Sequence, residues 1–216
     1  MTRRVLVVDV GGTHLKVFLP GSDAPVVRPS GPRFTPRAMV AAVKKLVAGR
    51  RHDAVSIGVP AVMVKGKIVA EPPNLGPGWR TFDFEEALGK PVKLINDAAM
   101  QALGSYEGGT MLFLGLGTGL GTALVVEGRV VPLELGLMPY RRGTYEDYLG
   151  LRGFTKFGRR KWREHVARAA ATLREATVAD DVVLGGGRAA VLGGMPEGCR
   201  RGDNRNALKG GLRLWD

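Results

Sequence analysis

Near its amino end the chain reads Val5-Leu-Val-Val-Asp-Val-Gly-Gly-Thr-His-Leu-Lys-Val-Phe-Leu19, an apolar strand that enters a glycine turn and leaves as a second strand. About half a chain later the pattern returns as Leu112-Phe-Leu-Gly-Leu-Gly-Thr-Gly-Leu-Gly-Thr-Ala-Leu-Val-Val126. Glycine serves where the backbone adopts a positive φ or approaches a ligand closely, and successive turn amides form a concavity suited to phosphate oxygens. The repeat predicts one strand-turn-strand unit used twice, with a polyphosphate held between two lobes.

Two common phosphate-binding motifs are excluded by the residues around these glycines. A P-loop requires Gly-Lys followed by Ser or Thr, whereas each Gly-Lys pair of this chain precedes isoleucine or proline. A dinucleotide fold requires Gly-x-Gly-x-x-Gly at the start of a helix, and neither Gly115 nor Gly117 begins that spacing. The remaining interpretation is a hairpin turn with a strand on both sides.

Composition indicates a folded chain without a membrane span. Of the 216 residues, 44% are apolar and 24% charged, and the uninterrupted apolar stretches are far shorter than the ~20 residues of a membrane helix. Asp9 interrupts the apolar segment at the amino end, which argues against a signal peptide. Cys199 is the single cysteine, so neither an internal disulfide nor a cysteine zinc cluster can form. A cytoplasmic protein is expected.

The chain is strongly basic. Its formal net charge is +12 with a pI near 10.3, and the excess is densest toward the carboxyl end, in Arg159-Arg-Lys-Trp-Arg163 and Arg200-Arg201. Such a field attracts polyanions: nucleic acid, anionic lipid or a phosphate-rich substrate. A solvated surface of an arginine-rich proteome explains the same charge equally well.

Apolar periodicity and turn residues predict alternating strands and helices, hence two α/β lobes. Helices are expected from 36 to just before 49, over 83–88 and 97–106, from about 159 to 177, and over 204–215. Besides the two glycine hairpins, strands are expected over 54–59, 92–95 and 182–184, with a further hairpin over 62–70. The first lobe is predicted over 1–97 and the second over 98–203, with a carboxyl-terminal helix at about 204–216 packed back on the first.

The ordered motifs resemble those of the sugar-kinase, heat-shock-protein and actin superfamily, and within it those of the ROK kinases, especially bacterial polyphosphate glucokinases. The matching pieces are Asp9-Val-Gly-Gly-Thr-His-Leu-Lys16, Pro73-Asn-Leu75, Trp79, Asn96-Asp-Ala98, Gly117-Thr-Gly-Leu-Gly-Thr122, Glu134-Leu-Gly136, Thr144-Tyr-Glu-Asp147 and Leu184-Gly-Gly-Gly187. They follow the family's order and cover most of the chain. The resemblance implies two ribonuclease-H-like lobes of the actin/hexokinase/heat-shock-protein superfamily with an interlobe cleft.

Asp97 is the candidate general base. It comes where a predicted strand ends and a helix begins, and phosphoryl transfer to a hydroxyl needs a carboxylate near the attacking oxygen. The helix macrodipole favours the ionised form, so Asp97 is expected to be charged at pH 7. The residues alone equally allow Asp97 to be only the N-cap of that helix. The family resemblance favours catalysis, with Asn96 hydrogen-bonding a sugar hydroxyl.

Asp9 ends an apolar strand, where an unpaired buried carboxylate is costly, so it is expected to face a cation or a hydroxyl. The alternative is a turn aspartate that caps the amides of Gly11 and Gly12. By resemblance, Asp9 orients Mg²⁺ through water, or orients the transferring phosphoryl group. The resemblance also implies phosphate or nucleotide binding by Asp9, Gly11, Gly12, Thr13, Lys16, Gly117, Thr118, Gly119 and Gly186. For Lys16 an exposed strand position is the alternative.

The sugar site is implied by resemblance. Its residues would be Asn74, Asn96, Asp97, Glu134 and Glu146, with Trp79 beside them; solvent-facing positions are the alternative for both glutamates. Three residues after Glu134 the family usually carries histidine, whereas this chain has Leu137. The acceptor is then not glucose, or its affinity is poor, or another side chain such as Glu146 or Tyr140 compensates.

Together these features predict a Mg²⁺-dependent sugar kinase that transfers a phosphoryl group from polyphosphate, ATP or both to a glucose-like hexose. A homodimer is expected only because it is the common oligomeric state in the family. The alternative is a non-catalytic sugar- or polyanion-binding protein with the same fold. Nucleic acid is not expected as a partner, since neither a binding module nor an aromatic stacking motif accompanies the charge, and no membrane association is expected.

Overall fold

The computed structural model describes residues 3–203 and 205–216, and the chain forms two compact units. The first unit comprises Met1–Met100 and Ala207–Asp216, and the second comprises Gln101–Asn206. Each unit has its own five-stranded sheet and its own helices, so the predicted α/β class is confirmed.

The first unit is built on a mixed sheet. Its strands are β1 (Val5–Val10), β2 (His14–Phe18), β3 (Val26–Pro29), β4 (Ala54–Val59) and β7 (Val92–Asn96), in the order β3-β2-β1-β4-β7. A separate hairpin consists of β5 (Met63–Val64) and β6 (Lys67–Ile68). Strands β1, β2 and β3 are antiparallel neighbours, whereas β4 and β7 continue the sheet in parallel. Every residue of β1 and β4 is buried, as expected for central strands covered on both faces.

The second unit repeats this topology. Its strands are β8 (Thr110–Leu116), β9 (Leu120–Val126), β10 (Arg129–Leu133), β13 (Asp181–Gly185) and β14 (Cys199–Arg201), in the order β10-β9-β8-β13-β14. A small hairpin is formed by β11 (Pro139–Tyr140) and β12 (Gly143–Thr144). Again three antiparallel strands lead the sheet and two parallel strands complete it. The prediction of one strand-turn-strand unit used twice is confirmed.

Six α-helices are described: α1 (Pro36–Leu46), α2 (Phe84–Leu88), α3 (Asp97–Ser105), α4 (Tyr145–Leu149), α5 (Leu151–Thr177) and α6 (Asn206–Arg213). Helix α1 follows the predicted pattern, because Thr35 caps it and Met39, Val40 and Val43 are buried on one face. Among the described residues, no helix is long and apolar enough to cross a bilayer.

Helix α5 begins earlier than predicted. It starts at Leu151 and contains a kink at Gly158, whose φ of 70° and ψ of 165° are not helical. The predicted start at about residue 159 therefore marks only its second segment. Strand β14 was not predicted, because Cys199–Arg201 has no alternating apolar pattern. The predicted helix 204–215 is observed as α6, and Asn204 lies outside the described residues.

Helix α6 packs on the sheet of the first unit. Gly211 lies against Val7, where an added Cβ would collide with the valine side chain. The buried Ser56 hydroxyl donates to the Gly211 carbonyl at 2.6 Å and accepts from Trp215 Nε1 at 2.8 Å. A polar serine is thereby satisfied inside a buried strand.

Candidate active site

The first glycine turn is closed by its own backbone and by its neighbours. The Gly11 amide donates to the His14 carbonyl at 2.9 Å, and the Ser30 hydroxyl donates to the Gly11 carbonyl at 2.6 Å. A Cβ built on Gly12 would lie 3.1 Å from the Asn74 Cβ. The lack of a side chain at Gly12 therefore lets Asn74, a predicted sugar-site residue, lie against the predicted phosphate turn.

Asp9 and Lys16 form an ion pair within this unit. The Asp9 side chain is only 4% exposed, and its Oδ2 accepts from Lys16 Nζ at 3.0 Å. The cation expected for Asp9 is thus present in the protein itself. Lys16 is 41% exposed at its side chain, which leaves it accessible to solvent and to a ligand.

Asn96, rather than Asp97, caps helix α3. The Ala99 amide donates to Asn96 Oδ1 at 3.1 Å, and Asn96 Nδ2 donates to the Ala61 carbonyl at 3.2 Å. Asp97 is the first residue of the helix itself. The interpretation of Asp97 as only an N-cap is therefore wrong, and its carboxyl lies where strand β7 meets α3.

The expectation that Asp97 is charged at pH 7 does not allow for its surroundings in the fold. Burial of the carboxyl, followed by the charge of Asp9, raises the pKa of Asp97 to about 7. The amides of Ala98 and Asp97 and the charge of Lys16 lower that pKa without offsetting the rise. Burial removes the water that would stabilise the carboxylate, and this loss exceeds the stabilisation by the nearby amides and by Lys16. Protonated and ionised Asp97 are therefore both accessible near neutral pH.

Gly58 allows α3 to begin this close to the sheet. A Cβ on Gly58 would collide with the Met100 methyl group and would lie 3.3 Å from Asp97 Cα. The position was missed at the sequence level, because a single glycine in a strand has many explanations.

The second glycine turn lies in the second unit and is also fixed by hydrogen bonds. The Gly117 amide donates to the Gly119 carbonyl at 3.1 Å, and the Leu151 amide donates to the Thr118 carbonyl at 3.0 Å. Arg188 Nη1 donates to the Gly117 carbonyl at 2.6 Å. Gly186 has a φ of +79°, and a Cβ there would collide with the Leu116 backbone. The start of α5 and the segment 186–188 therefore both contact this turn or its strand, and the role of Arg188 was not predicted.

Glu146 lies over the second turn. Its Oε2 accepts from the Leu120 amide at 3.1 Å, and a Cβ on Gly119 would collide with its carboxylate. Partial desolvation, followed by the charge of Glu146, raises the pKa of the otherwise exposed Glu134. The two predicted sugar-site glutamates thus interact electrostatically within one unit.

Thr122 holds Glu134 in place. Its buried hydroxyl donates to the Leu133 carbonyl at 2.7 Å and accepts from the Leu135 amide at 3.1 Å. These two bonds bracket Glu134 from both sides along the chain. The threonine belongs to the second glycine motif, which is the signal that could have identified it.

Leu137 lies in the 3₁₀ turn Leu135–Leu137, whose N-cap is Glu134. Its side chain is 65% exposed, although it is large and apolar. Tyr140, the proposed compensating residue, stacks on Tyr145 with ring centroids 4.7 Å apart, and its hydroxyl lies 3.2 Å from His165 Nδ1.

The acidic side chains fit a weakly held divalent cation. No group of three or more His, Cys, Asp or Glu that could hold a metal occurs among residues 3–203 and 205–216. Mg²⁺ is commonly bound through one or two carboxylates, water and substrate phosphates rather than by an all-protein cage. Asp9, with the charge of Asp97 close enough to interact with it, provides such carboxylates.

A surface groove of about 510 Å³ lies elsewhere on the first unit. It runs beside β6, α2 and β7, and its lining includes Lys67, Trp79 and Arg80. Apart from Trp79, which was predicted to lie beside the sugar-site residues, this lining contains none of the residues predicted for the phosphate or sugar site. Trp79 is otherwise buried, with its ring centroid 6.1 Å from that of Phe84.

Two units that repeat one α/β topology, each with a glycine hairpin beside acidic side chains, define a fold of the actin and hexokinase kind. Residues 5–138, more than half of the chain, match the ROK family, and the chain belongs to that family.

Solved structures agree with this fold. The inorganic polyphosphate/ATP-glucomannokinase of Arthrobacter sp. strain KM is 23% identical, with a TM-score of 0.80 over 98% of this chain and 97% of that one. A ROK glucokinase from Streptomyces griseus, solved with glucose and AMPPNP, is 18% identical, with a TM-score of 0.78 over 97% and 98%.

A curated relative is the N-acetylmannosamine kinase of Salmonella typhi. It is 29% identical over a 158-residue alignment, which covers 66% of this chain and 54% of the relative. The chain thus spans about half the length of the curated relatives that it matches.

Proposed function

We propose that this protein is a sugar kinase that transfers a phosphoryl group from polyphosphate or ATP to a hydroxyl of a glucose-like hexose. The observation that carries the proposal is the position and the pKa of Asp97. Its carboxyl lies at the junction of β7 and α3, and its pKa is raised to about 7. The charges of the Asp9–Lys16 ion pair act on it. Membership of the ROK family supports it, as does the likeness in fold to structures named as kinases.

In the proposed reaction, ionised Asp97 accepts the proton of the acceptor hydroxyl as its oxygen attacks the terminal phosphorus of the donor. The hydroxyl O–H bond breaks, a P–O bond to the sugar forms, and the P–O bond to the donor breaks. The leaving group is polyphosphate shortened by one phosphate, or ADP. A pKa near 7 suits this role, because a base is most effective when its pKa lies close to the working pH.

The proposed phosphate-binding residues are Gly11, Gly12 and Thr13 of the first turn and Gly117, Thr118 and Gly119 of the second, with Gly186 as the candidate nucleotide-binding residue. The ammonium group of Lys16, which pairs with Asp9, would also contact the phosphates of the donor. When bound, Mg²⁺ would neutralise charge that develops on the phosphates, with Asp9 holding it through water.

The acceptor would be oriented by hydrogen bonds to its hydroxyls. Asn74 and Asn96 provide amide groups in the first unit, and Glu134 and Glu146 provide carboxylates in the second. Asn96 donates one Nδ2 hydrogen to the Ala61 carbonyl, and its Oδ1 accepts from the Ala99 amide. Its other Nδ2 hydrogen can still donate to a sugar.

The test is a coupled phosphorylation assay that crosses hexoses, including glucose, mannose and N-acetylmannosamine, with ATP and polyphosphate. Wild-type protein is expected to phosphorylate at least one acceptor, and Asp97→Asn to lose nearly all of that rate. Asp23→Asn, an exposed carboxylate in the same unit, is the matched control and should keep the wild-type rate. Turnover that Asp97→Asn retains would overturn the role of Asp97.

A second candidate function is a non-catalytic sugar- or polyanion-binding protein. The exposed Leu137 in place of the family's histidine, together with the net charge of +12, favours it. Sugar or polyphosphate binding without turnover for any pair of substrates would select this candidate. A cytoplasmic location and a homodimer remain predictions.

A further inference from the structure

A group of arginines begins at the second glycine turn. Arg188 follows Gly185-Gly-Gly187 directly, is half-buried, and donates from Nη1 to the Gly117 carbonyl at 2.6 Å. Its guanidinium also lies 5.9 Å from the Phe154 ring centroid. The charge of Arg188 is therefore fixed beside the turn that is proposed to bind phosphate.

Two further arginines meet at the other end of the short helical segment that Arg188 opens. This 3₁₀ turn spans Ala189–Leu192, and Gly193 follows it. A Cβ on Gly193 would lie 3.3 Å from Arg159 Nη2 and 3.4 Å from Arg163 Nη1. Arg159 and Arg163 are four residues apart on α5, so both guanidinium groups reach the same point from one helix face.

These two charges have no acidic partner among the ion pairs of the described residues. Arg160, on the same helix, pairs with Glu164, whereas Arg159 donates from Nε to the neutral Val191 carbonyl at 2.8 Å. A carbonyl fixes a guanidinium without neutralising its charge. The guanidinium groups of Arg159 and Arg163, both next to Gly193, repel each other, and an anion between them would relieve the repulsion.

The positions of these arginines favour one of the two candidate phosphoryl donors, ATP or polyphosphate. Beyond its phosphates a nucleotide continues as an uncharged ribose and base, which guanidinium groups do not neutralise. A linear polyphosphate carries negative charge on every unit, and guanidinium groups bind phosphate oxygens bidentately. A run of cations that starts at the glycine turn and continues past Arg188 matches the second kind of ligand.

We infer that Arg188, Arg159 and Arg163 bind the tail of a long-chain inorganic polyphosphate whose reacting end lies at Gly117–Gly119. The expected effect on the KM for the donor rests on the proposed kinase function. The expected binding of polyphosphate rests on the arginines alone. The inference assigns to these residues a preference for long chains over short ones and over ATP.

The test compares Arg159→Ala/Arg163→Ala with Arg51→Ala/Arg168→Ala, which removes the same charge from two exposed positions. The KM for long-chain polyphosphate should rise roughly tenfold in the first variant, and binding should lose part of its salt dependence. The KM values for tripolyphosphate and ATP should stay within about twofold of wild type. An equal rise for all three donors, or an equal effect in the control, would overturn the inference.

Arg163→Gln guards against misfolding, because the Arg159 side chain also supports the Val191 carbonyl. It should raise the KM for the long chain severalfold while leaving the melting temperature unchanged. An unchanged KM in this folded variant counts against the inference.

Direct binding of labelled long-chain polyphosphate, without sugar, separates this inference from the proposed function. If no donor supports turnover, the kinase proposal fails, yet weaker binding by the Arg159/Arg163 variants would still support the tail site. If single-stranded RNA binds as tightly as polyphosphate and is weakened equally by these variants, the surface is a general polyanion face and the inference fails.

Discussion

Lys16 and Asp9 are direct partners across the β1–β2 ladder, and Lys16 Nζ lies 3.0 Å from Asp9 Oδ2. The pair is asymmetric, because the carboxylate is almost fully buried while the lysine is partly exposed. The charges of both residues act on Asp97, Asp9 raising its pKa and Lys16 lowering it. One ion pair therefore influences both the stability of the first unit and the protonation of the proposed base.

Replacement of Lys16 by methionine is expected to lower the free energy of unfolding by about 3 kcal/mol, because a buried carboxylate loses its partner. It should also move the rise of kcat/KM to higher pH, since the pKa of Asp97 increases when Lys16 no longer lowers it. Chemical denaturation and a pH–rate profile measure the two effects. Lys16→Arg should keep both values near wild type, and Lys45→Met, at an exposed lysine, should change neither. A pH profile that Lys16→Met leaves unmoved would contradict this coupling.

The raised pKa of Asp97 predicts that the first unit is less stable in base. The usual value of 3.8 becomes about 7 in the folded protein, so between these pH values the folded state holds a proton that the unfolded chain releases. The free energy of unfolding therefore falls as pH rises from about 4 to about 7. Turnover shows the opposite trend, because only the ionised form can accept a proton, and it should rise with pH through about 7.

Asp97→Asn should separate these two effects. At pH 8 the variant should be more stable than wild type by about 2 kcal/mol, because a neutral amide replaces a desolvated charge. At pH 3.5 Asp97 is largely protonated in both the folded and the unfolded chain, and the difference should nearly vanish. Urea denaturation at both pH values measures it. Equal stability differences at the two pH values would show that the carboxyl is not desolvated as described.

The close approach of α3 to β4 predicts the effect of Gly58→Ala. The added methyl group would collide with Met100 and press on Asp97 Cα, so we expect a loss of about 1–3 kcal/mol in stability. We also expect a lower kcat, because the carboxyl would be displaced. Gly194→Ala is the matched control, since no atom lies within 4 Å of its Cβ. Adding Met100→Ala to Gly58→Ala should restore part of the stability and not the full rate. A fully active Gly58→Ala would argue against the need for this approach.

The capping role of Asn96 predicts a difference between two substitutions. Asn96→Ala removes the acceptor for the Ala99 amide and should cost about 1 kcal/mol of stability. Asn96→Asp keeps an acceptor for the Ala99 amide but places a carboxylate oxygen against the Ala61 carbonyl, so it should retain only part of that stability. Either change should raise the KM for sugar if the amide also binds a hydroxyl. Thermal unfolding and sugar KM values measure the two roles. An unchanged KM in both variants would leave Asn96 as a positioning residue only.

The fold and the hairpins could be predicted from the sequence because both depend on local patterns. Apolar runs and glycine turns define β1, β2, β8 and β9, and the predicted repeat of topology follows from them. The kink of α5 at Gly158 was not predictable in this way, since a glycine inside a helical pattern ends some helices and only bends others.

The protonation of Asp97 could not be predicted for a different reason. The sequence reveals the helix start, whose dipole favours a charged carboxylate, but not the burial of the carboxyl or the proximity of Asp9. Both depend on how distant segments pack. The contacts of Arg188 with Gly117 and of Gly58 with Met100 are likewise visible only in three dimensions.

At Leu137 we expect the proposed sugar site to lack a hydrogen bond to its acceptor. It follows Glu134 by three residues, where the family usually has histidine, and its apolar side chain is 65% exposed. Leu137→His should lower the KM for the preferred hexose about tenfold, because one hydrogen bond to a hydroxyl is worth about 1.4 kcal/mol. The KM for the phosphoryl donor should not change. Met138→His, at the neighbouring exposed position, is the matched control and should leave both values as they are. If Leu137→His weakens sugar binding, the chain has adapted its site to an acceptor that the family's histidine does not suit.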